Sequence, residues 1–255
     1  MLQAHSFLWH YLWVAPDVLQ LLLCLFLWKR RLIRQFPAFF AFLLLTGVGE
    51  LTLYAADLLP SVSGETYWRM VWAEALMEGV LKFGAIAEVF AQIFGAYTSL
   101  ARLGKVLIQG AGVILVFAAA LAAGNAPRRP LVAIISGAHL LEQSIYLIEC
   151  GVLVFIFLLS AYFHLRWSRK VFGIALGLGI SACVHLASWG LIINAGLSVE
   201  KRDLLVFLNG STFHLEVLLW FYYLLVPERA PIRTPAPPLE NNLALWNREL
   251  ERLLE

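Results

Sequence analysis

Residues Phe7 to Trp28 read FLWHYLWVAPDVLQLLLCLFLW, and Lys29, Arg30 and Arg31 follow at once. A helix needs about 20 residues to cross a hydrocarbon core of about 30 Å, so this run is of spanning length. The basic residues that close it are of the kind that accumulate on the cytoplasmic side. Six further runs share its character: Pro37 to Leu59, Tyr67 to Tyr97, Leu107 to Ala123, Leu131 to Leu165, Val171 to Ala195 and Leu204 to Leu225. Together they predict an all-α polytopic membrane protein, a bundle of seven transmembrane helices occupying residues 1–226. The stretches between them are built for turns: Arg34 to Pro37, Pro60 to Gly64, Gly104-Lys105, Gly124 to Pro130, Trp167 to Lys170 and Gly196 to Asp203. Such short connections make successive helices antiparallel neighbours.

Composition agrees. Of 255 residues, 61% are hydrophobic and 14% charged, and mean hydropathy is +0.77, whereas soluble domains are about 45–50% apolar and about 25% charged. The lipid bilayer is therefore the expected solvent. A net charge of +2, with no cluster of Lys and Arg interleaved with aromatics, argues against nucleic acid as a partner. Cys24, Cys150 and Cys183 all fall inside apolar runs and read as small buried hydrophobes. Met1 to Ser6 lacks the basic n-region and cleavage site of a signal peptide, so the first run is expected to stay as a helix.

Orientation follows from charge. One alternating set of connections carries Lys29, Arg30, Arg31, Arg34, Arg102, Lys105, Arg166, Arg169 and Lys170, nine basic residues. The other set carries five: Arg69, Arg128, Arg129, Lys201 and Arg202. The richer set is expected inside, which puts the N-terminus outside and the C-terminus in the cytoplasm. Trp9, Tyr11, Trp13, Tyr67, Trp68 and Trp72 would then mark the outer interface, and Trp28, Tyr97, Trp167, Tyr222 and Tyr223 the inner one.

Beyond the last run, residues 227–238 are rich in proline and charge and read as an extended linker. Over 239–255, Leu243, Trp246, Leu250 and Leu253 recur at steps of three and four, the pattern of a cytoplasmic amphipathic helix. Its polar face is predominantly acidic, which suits a homo-oligomer or a cytoplasmic protein partner better than an anionic membrane surface.

Ionisable groups at membrane depth cost about 2.5–3.5 kcal/mol each on insertion scales, so each is a candidate for function. The third run carries Glu74, Glu78, Lys82 and Glu88, which at about 100° per residue share an arc of about 120°. Two readings stand side by side: an i,i+4 ion pair between Glu78 and Lys82, or a polar stripe lining a cavity open to the outside. The fifth run adds His139, Glu142 and Glu149. Together Glu74, Glu78, Lys82, Glu88, His139, Glu142 and Glu149 form the candidate ligand site. The second run contributes Glu50 and Asp57, and the seventh Asn209, His214 and Glu216. His214 and Glu216 lie about 200° apart and cannot both face one site.

His185 and His214 are weak candidates for a metal, as axial ligands of a b-type haem. No HExxH, ExxH pair or CxxCH supports them, and no cofactor is expected. The seventh run has no lysine for a retinal Schiff base, and no catalytic motif is present. Gly173, Gly177 and Ser181, at steps of four, are read as a packing stripe for a neighbouring helix.

Four strings, Arg31-Leu32-Ile33-Arg34-Gln35-Phe36-Pro37, Tyr67-Trp68 with Glu74, Glu142-Gln143-Ser144 through Glu149-Cys150-Gly151, and Phe172-Gly173-Ile174-Ala175-Leu176-Gly177, carry a resemblance to a bacterial family of uncharacterised seven-helix membrane proteins. The resemblance covers the chain to about Pro227 and implies the topology and a multi-pass place in the bacterial inner membrane. It brings no activity and no site residues. The leading expectation is a non-enzymatic sensor or receptor-like module with an outward-facing polar cavity. The alternatives are a small-solute or proton transporter and a membrane subunit binding b-type haem.

Overall fold

A computed structural model describes residues 6–95, 130–162, 165, 167–194 and 199–226, with isolated positions between 106 and 117 and Arg252. The described residues form helices and turns with no strand: α1 (Phe7–Lys29), a short 3-10 turn (Leu32–Arg34), α2 (Pro37–Leu58), α3 (Gly64–Phe94), α4 (Pro130–Tyr162), α5 (Arg169–Asn194) and α6 (Val199–Leu225). Most of the expected run Leu107 to Ala123, and the segments 227–238 and 239–255 apart from Arg252, lie outside the described residues. Thus α4, α5 and α6 correspond to the fifth, sixth and seventh runs of the sequence.

Helix ends fall where local chemistry puts them. Ser6 opens α1, its Oγ accepting from the Trp9 N–H, and Ser63 opens α3 through the Thr66 N–H. Ser168 does the same for α5 through the Val171 N–H. At the far end of α1 the chain reverses through Arg31, whose φ of 57° is left-handed, and Pro37 starts α2 at a position where its missing N–H costs nothing. The Arg30 guanidinium there donates to the Leu225 carbonyl at 2.8 Å, capping the C-terminus of α6.

Each helix packs on its successor and α6 returns to α1, so the six described helices close a ring, with α3 also touching α5 across it. Helices α3 and α4 run in the same direction: Trp68 meets His139 near one end, Gly79 lies against Ile145, and Lys82 reaches Glu149 further along. Five helices or helix segments, Phe7–Lys29, Pro37–Leu58, His139–Tyr162, Arg169–Leu191 and Asp203–Leu225, are long and apolar enough to cross a membrane. Helix α3, at 31 residues, is longer than α1, α2, α5 and α6 but carries the four charges noted above. The outer surface of the ring is apolar too, with Leu25, Val80, Leu147, Leu158 and Leu204 all more than half exposed. That surface fits a membrane protein and not a soluble monomer.

The ring is filled differently at its two ends. Toward the C-terminus of α1, a continuous apolar core joins Leu23, Leu27, Phe39, Leu43, Ile86, Phe90, Ile156 and Trp220. Trp220 is fully buried, edge-on to Phe39 at 5.1 Å and Phe42 at 6.0 Å. The glycine stripe of α5 makes this close approach possible: a Cβ at Gly177 would collide with Trp220 Nε1, and one at Gly173 with Tyr223 Cβ. Cys24 is buried as expected, but Cys183 is exposed and its Sγ lies 3.4 Å from that of Cys150. An apolar run does not say which way a single residue faces.

Candidate functional site

Toward the N-terminus of α1 the ring encloses a cavity of about 440 Å³. Every described helix contributes to its wall: Trp9, Trp13 and Asp17 from α1, Thr46 and Glu50 from α2, and Glu74, Glu78 and Lys82 from α3. Glu142 and Tyr146 come from α4, Ser181, His185 and Trp189 from α5, and Asn209, Phe213 and Glu216 from α6. Six of these residues are carboxylates and one is a lysine.

Helix α3 supplies the stripe that its spacing predicts. Lys82 Nζ lies 2.9 Å from Glu78 Oε1 within the helix and 3.5 Å from Glu149 Oε2 on α4. The same ammonium stands 4.5 Å from the centre of the Tyr146 ring. Lys82 is thus held by two carboxylates and an aromatic face, the arrangement in which a buried cation is tolerated. Glu149 is fully buried behind it and does not reach the cavity wall. Glu74 leans on Gly49, where a Cβ would lie 3.1 Å from Glu74 Cγ, so the small residue makes room for the carboxylate.

Glu88 belongs elsewhere. Its two carboxylate oxygens accept from the Ala38 and Phe39 N–H groups at 2.5 and 2.9 Å, closing the N-terminus of α2 at the opposite end of the ring. Helical spacing puts Glu88 at the edge of the arc, about 120° around the helix from Lys82, and a rise of about 1.5 Å per residue carries it about 9 Å below Lys82. There the free N–H groups of α2 are the nearest donors. His139 also stands outside the cavity wall, 4.6 Å from the Trp189 ring and 5.6 Å from Trp68, with Nδ1 3.7 Å from Glu142 Oε2.

The two central histidines have separate partners. His185 stacks on Tyr146 at 4.7 Å, with Nδ1 3.1 Å from the Ser181 carbonyl oxygen, while His214 stacks on Tyr11 at 5.7 Å and does not line the cavity. As the 200° separation requires, His214 and Glu216 face different ways, and Glu216 is the one that enters the site. No group of three or more metal-ligating side chains occurs among the described residues. Trp9 and Trp13, expected at the level of the outer interface, line the cavity, and Trp13 Nε1 donates to Glu50 Oε2 at 3.3 Å.

Asp17 is the residue that the sequence reading passed over. It is 1% exposed and contributes to the wall from α1, one turn from Gln20. The Gln20 side-chain N–H groups donate to the Leu43 carbonyl at 2.8 Å and to Thr46 Oγ1 at 2.7 Å, while its Oε1 has no partner. Asp17 Oδ1, Glu74 Oε1 and Glu216 Oε1 are buried with no hydrogen-bond partner. An isolated Asp at membrane depth carries the same insertion cost as the acidic residues of the third run, and that cost was the signal available for it.

No protein-family model, no curated protein and no solved structure matches the chain.

Proposed function

We propose that the chain is a multi-pass protein of the bacterial inner membrane with seven transmembrane helices, its N-terminus outside and its C-terminus in the cytoplasm. It acts as a non-enzymatic sensor or receptor-like module: the cavity takes a small ligand from the outside, and the segment 239–255 passes the change to a second copy or to a cytoplasmic partner. The parallel run of α3 and α4 supports the helix count, because a chain leaving α3 at one end and entering α4 at the other needs a crossing between them. Nine basic residues against five support the orientation.

The observation that carries the reading is the cavity itself, closed below by the apolar core. A volume of about 440 Å³ falls in the range of small-molecule sites, about 300–1,000 Å³, and exceeds what a file of single waters needs. A transporter is the second reading, favoured by the ionisable chain from Glu78 through Lys82 to Glu149. Against it, the cavity floor abuts Phe42, and the packed cluster of Phe39, Leu43, Ile86 and Trp220 fills the ring beyond it. A relay needs polar groups to continue, and this cluster offers none.

Reporter fusions test the topology. Those after Arg34, Leu103 and Arg169 should report cytoplasm, and those after Gly64, Asn125 and Val199 the outside; termini on the same side would overturn it. Removing residues 239–255 should leave the bundle inserted while abolishing self-association or partner capture. Failure of that truncated chain to accumulate in the membrane would show that the tail belongs to the core fold.

A further inference from the structure

We infer that the cavity binds a small organic cation, a primary ammonium attached to an apolar body. The inference rests on the receptor reading above and names the class of ligand.

Charge balance is the first reason. Asp17, Glu50, Glu74, Glu78, Glu142 and Glu216 converge on a space whose wall has a single ammonium, Lys82, already held by Glu78 and Glu149. Burying carboxylates without compensation is costly, and a cationic ligand supplies the missing charge.

Hydrogen bonding is the second. Asp17 and Glu216 are 1% and 3% exposed, and each lines the cavity and carries a partnerless oxygen, as the partly buried Glu74 does. In the carboxylate form all three orphan atoms are acceptors. A ligand that satisfies them must donate, which a primary ammonium does three times over and a quaternary ammonium or a carboxylate does not.

The walls are the third. Trp9, Trp13, Tyr146, Trp189 and Phe213 present aromatic surface to the same space. Aromatic faces attract cations and cover apolar groups, whereas a bare metal ion would ask for a full shell of oxygen ligands. The protein already contains this arrangement in Lys82, an ammonium between carboxylates and over the Tyr146 ring.

The test uses the full chain in lipid nanodiscs and follows the fluorescence of the cavity tryptophans. Three probes of one shape are titrated: 2-phenylethylammonium, the neutral 2-phenylethanol and the anionic 3-phenylpropanoate. The ammonium should give a saturable change and a raised melting temperature, with the other two at least about tenfold weaker, as loss of a charged hydrogen bond implies. Asp17→Asn and Glu216→Gln should each weaken the ammonium by about ten- to a hundredfold without lowering the melting temperature, while Glu65→Gln, on the exposed surface, should bind as the parent does. Equal or tighter binding of the alcohol or the carboxylate, or a comparable response to Na⁺ or Ca²⁺ alone, would overturn the cation assignment while leaving a ligand site in place. Silence toward all three organic probes would also overturn it. Whether the cavity opens outward would then be judged separately by thiol labelling at position 142.

Discussion

The two ends of the ring are built from the same six helices and obey opposite rules. In the half that holds Trp220, glycines at positions 173 and 177 bring α5 and α6 together until side chains interlock, and the half-buried carboxylate of Glu88 is held by two backbone N–H groups. In the half that holds the cavity, buried carboxylate oxygens are left without partners and aromatic rings line open space. Close packing maximises dispersion and fixes one arrangement, which is what holds helices together where lipid is the solvent. Unpaired polar groups do the reverse, and a fold keeps them where a ligand completes them. One half therefore supplies stability and, on the receptor function proposed above, the other spends part of it on recognition.

The contrast predicts a graded set of effects. Trp220→Ala, which empties the centre of the packed half, should lower stability by about 4 kcal/mol in a detergent or nanodisc unfolding assay. A loss under about 1 kcal/mol would mean that the packed half does not anchor the bundle. Lys82→Met should come next, at about 3 kcal/mol, because it strands both Glu78 and Glu149. Adding Glu149→Gln should recover part of that loss, since Glu149 is the fully buried partner; a purely additive double variant would show that the two are not coupled.

Glu88→Gln should cost about 1 kcal/mol, the usual worth of a helix cap, and should leave ligand binding unchanged. A binding defect there would return Glu88 to the site. The smallest effect has the opposite sign. Glu216→Gln removes the charge of a buried carboxylate that has a partnerless oxygen and should raise the melting temperature, by no more than about 1 kcal/mol of added stability. A clear fall would mean that Glu216 is already satisfied within the protein.

What was legible in the sequence follows the range over which each rule acts. The six described helices and the stripe of Glu74, Glu78 and Lys82 depend on neighbours within one or two turns, and periodicity reads them directly, whereas α3 and α6 start at Gly64 and Val199, ahead of the expected Tyr67 and Leu204, because polar residues also extend a helix. Glu88 shows the limit: spacing gives its face, but its partner is the end of another helix. Asp17 and Glu50 enter the site because the ring closes around them, a relation of elements far apart in the chain. For Glu216 and His214, the sequence says that only one can face the site and not which. The answer sits on α5, where the stripe of Gly173 and Gly177, against which Tyr223 and Trp220 pack, continues to Ser181 on the cavity wall. Treating that stripe as packing alone concealed its use as a pointer to the site.

A receptor of the proposed kind requires a cavity that opens outward above a sealed apolar floor. Its most direct test places single cysteines in a chain whose Cys24, Cys150 and Cys183 are replaced by alanine, and treats intact cells with a membrane-impermeant maleimide. Glu142→Cys, on the cavity wall, should label from the outside, and Leu43→Cys, in the packed half, should stay unlabelled from either side. Labelling of Glu142→Cys only from the cytoplasmic face of inverted vesicles, or labelling of Leu43→Cys as readily as Glu142→Cys, would contradict it.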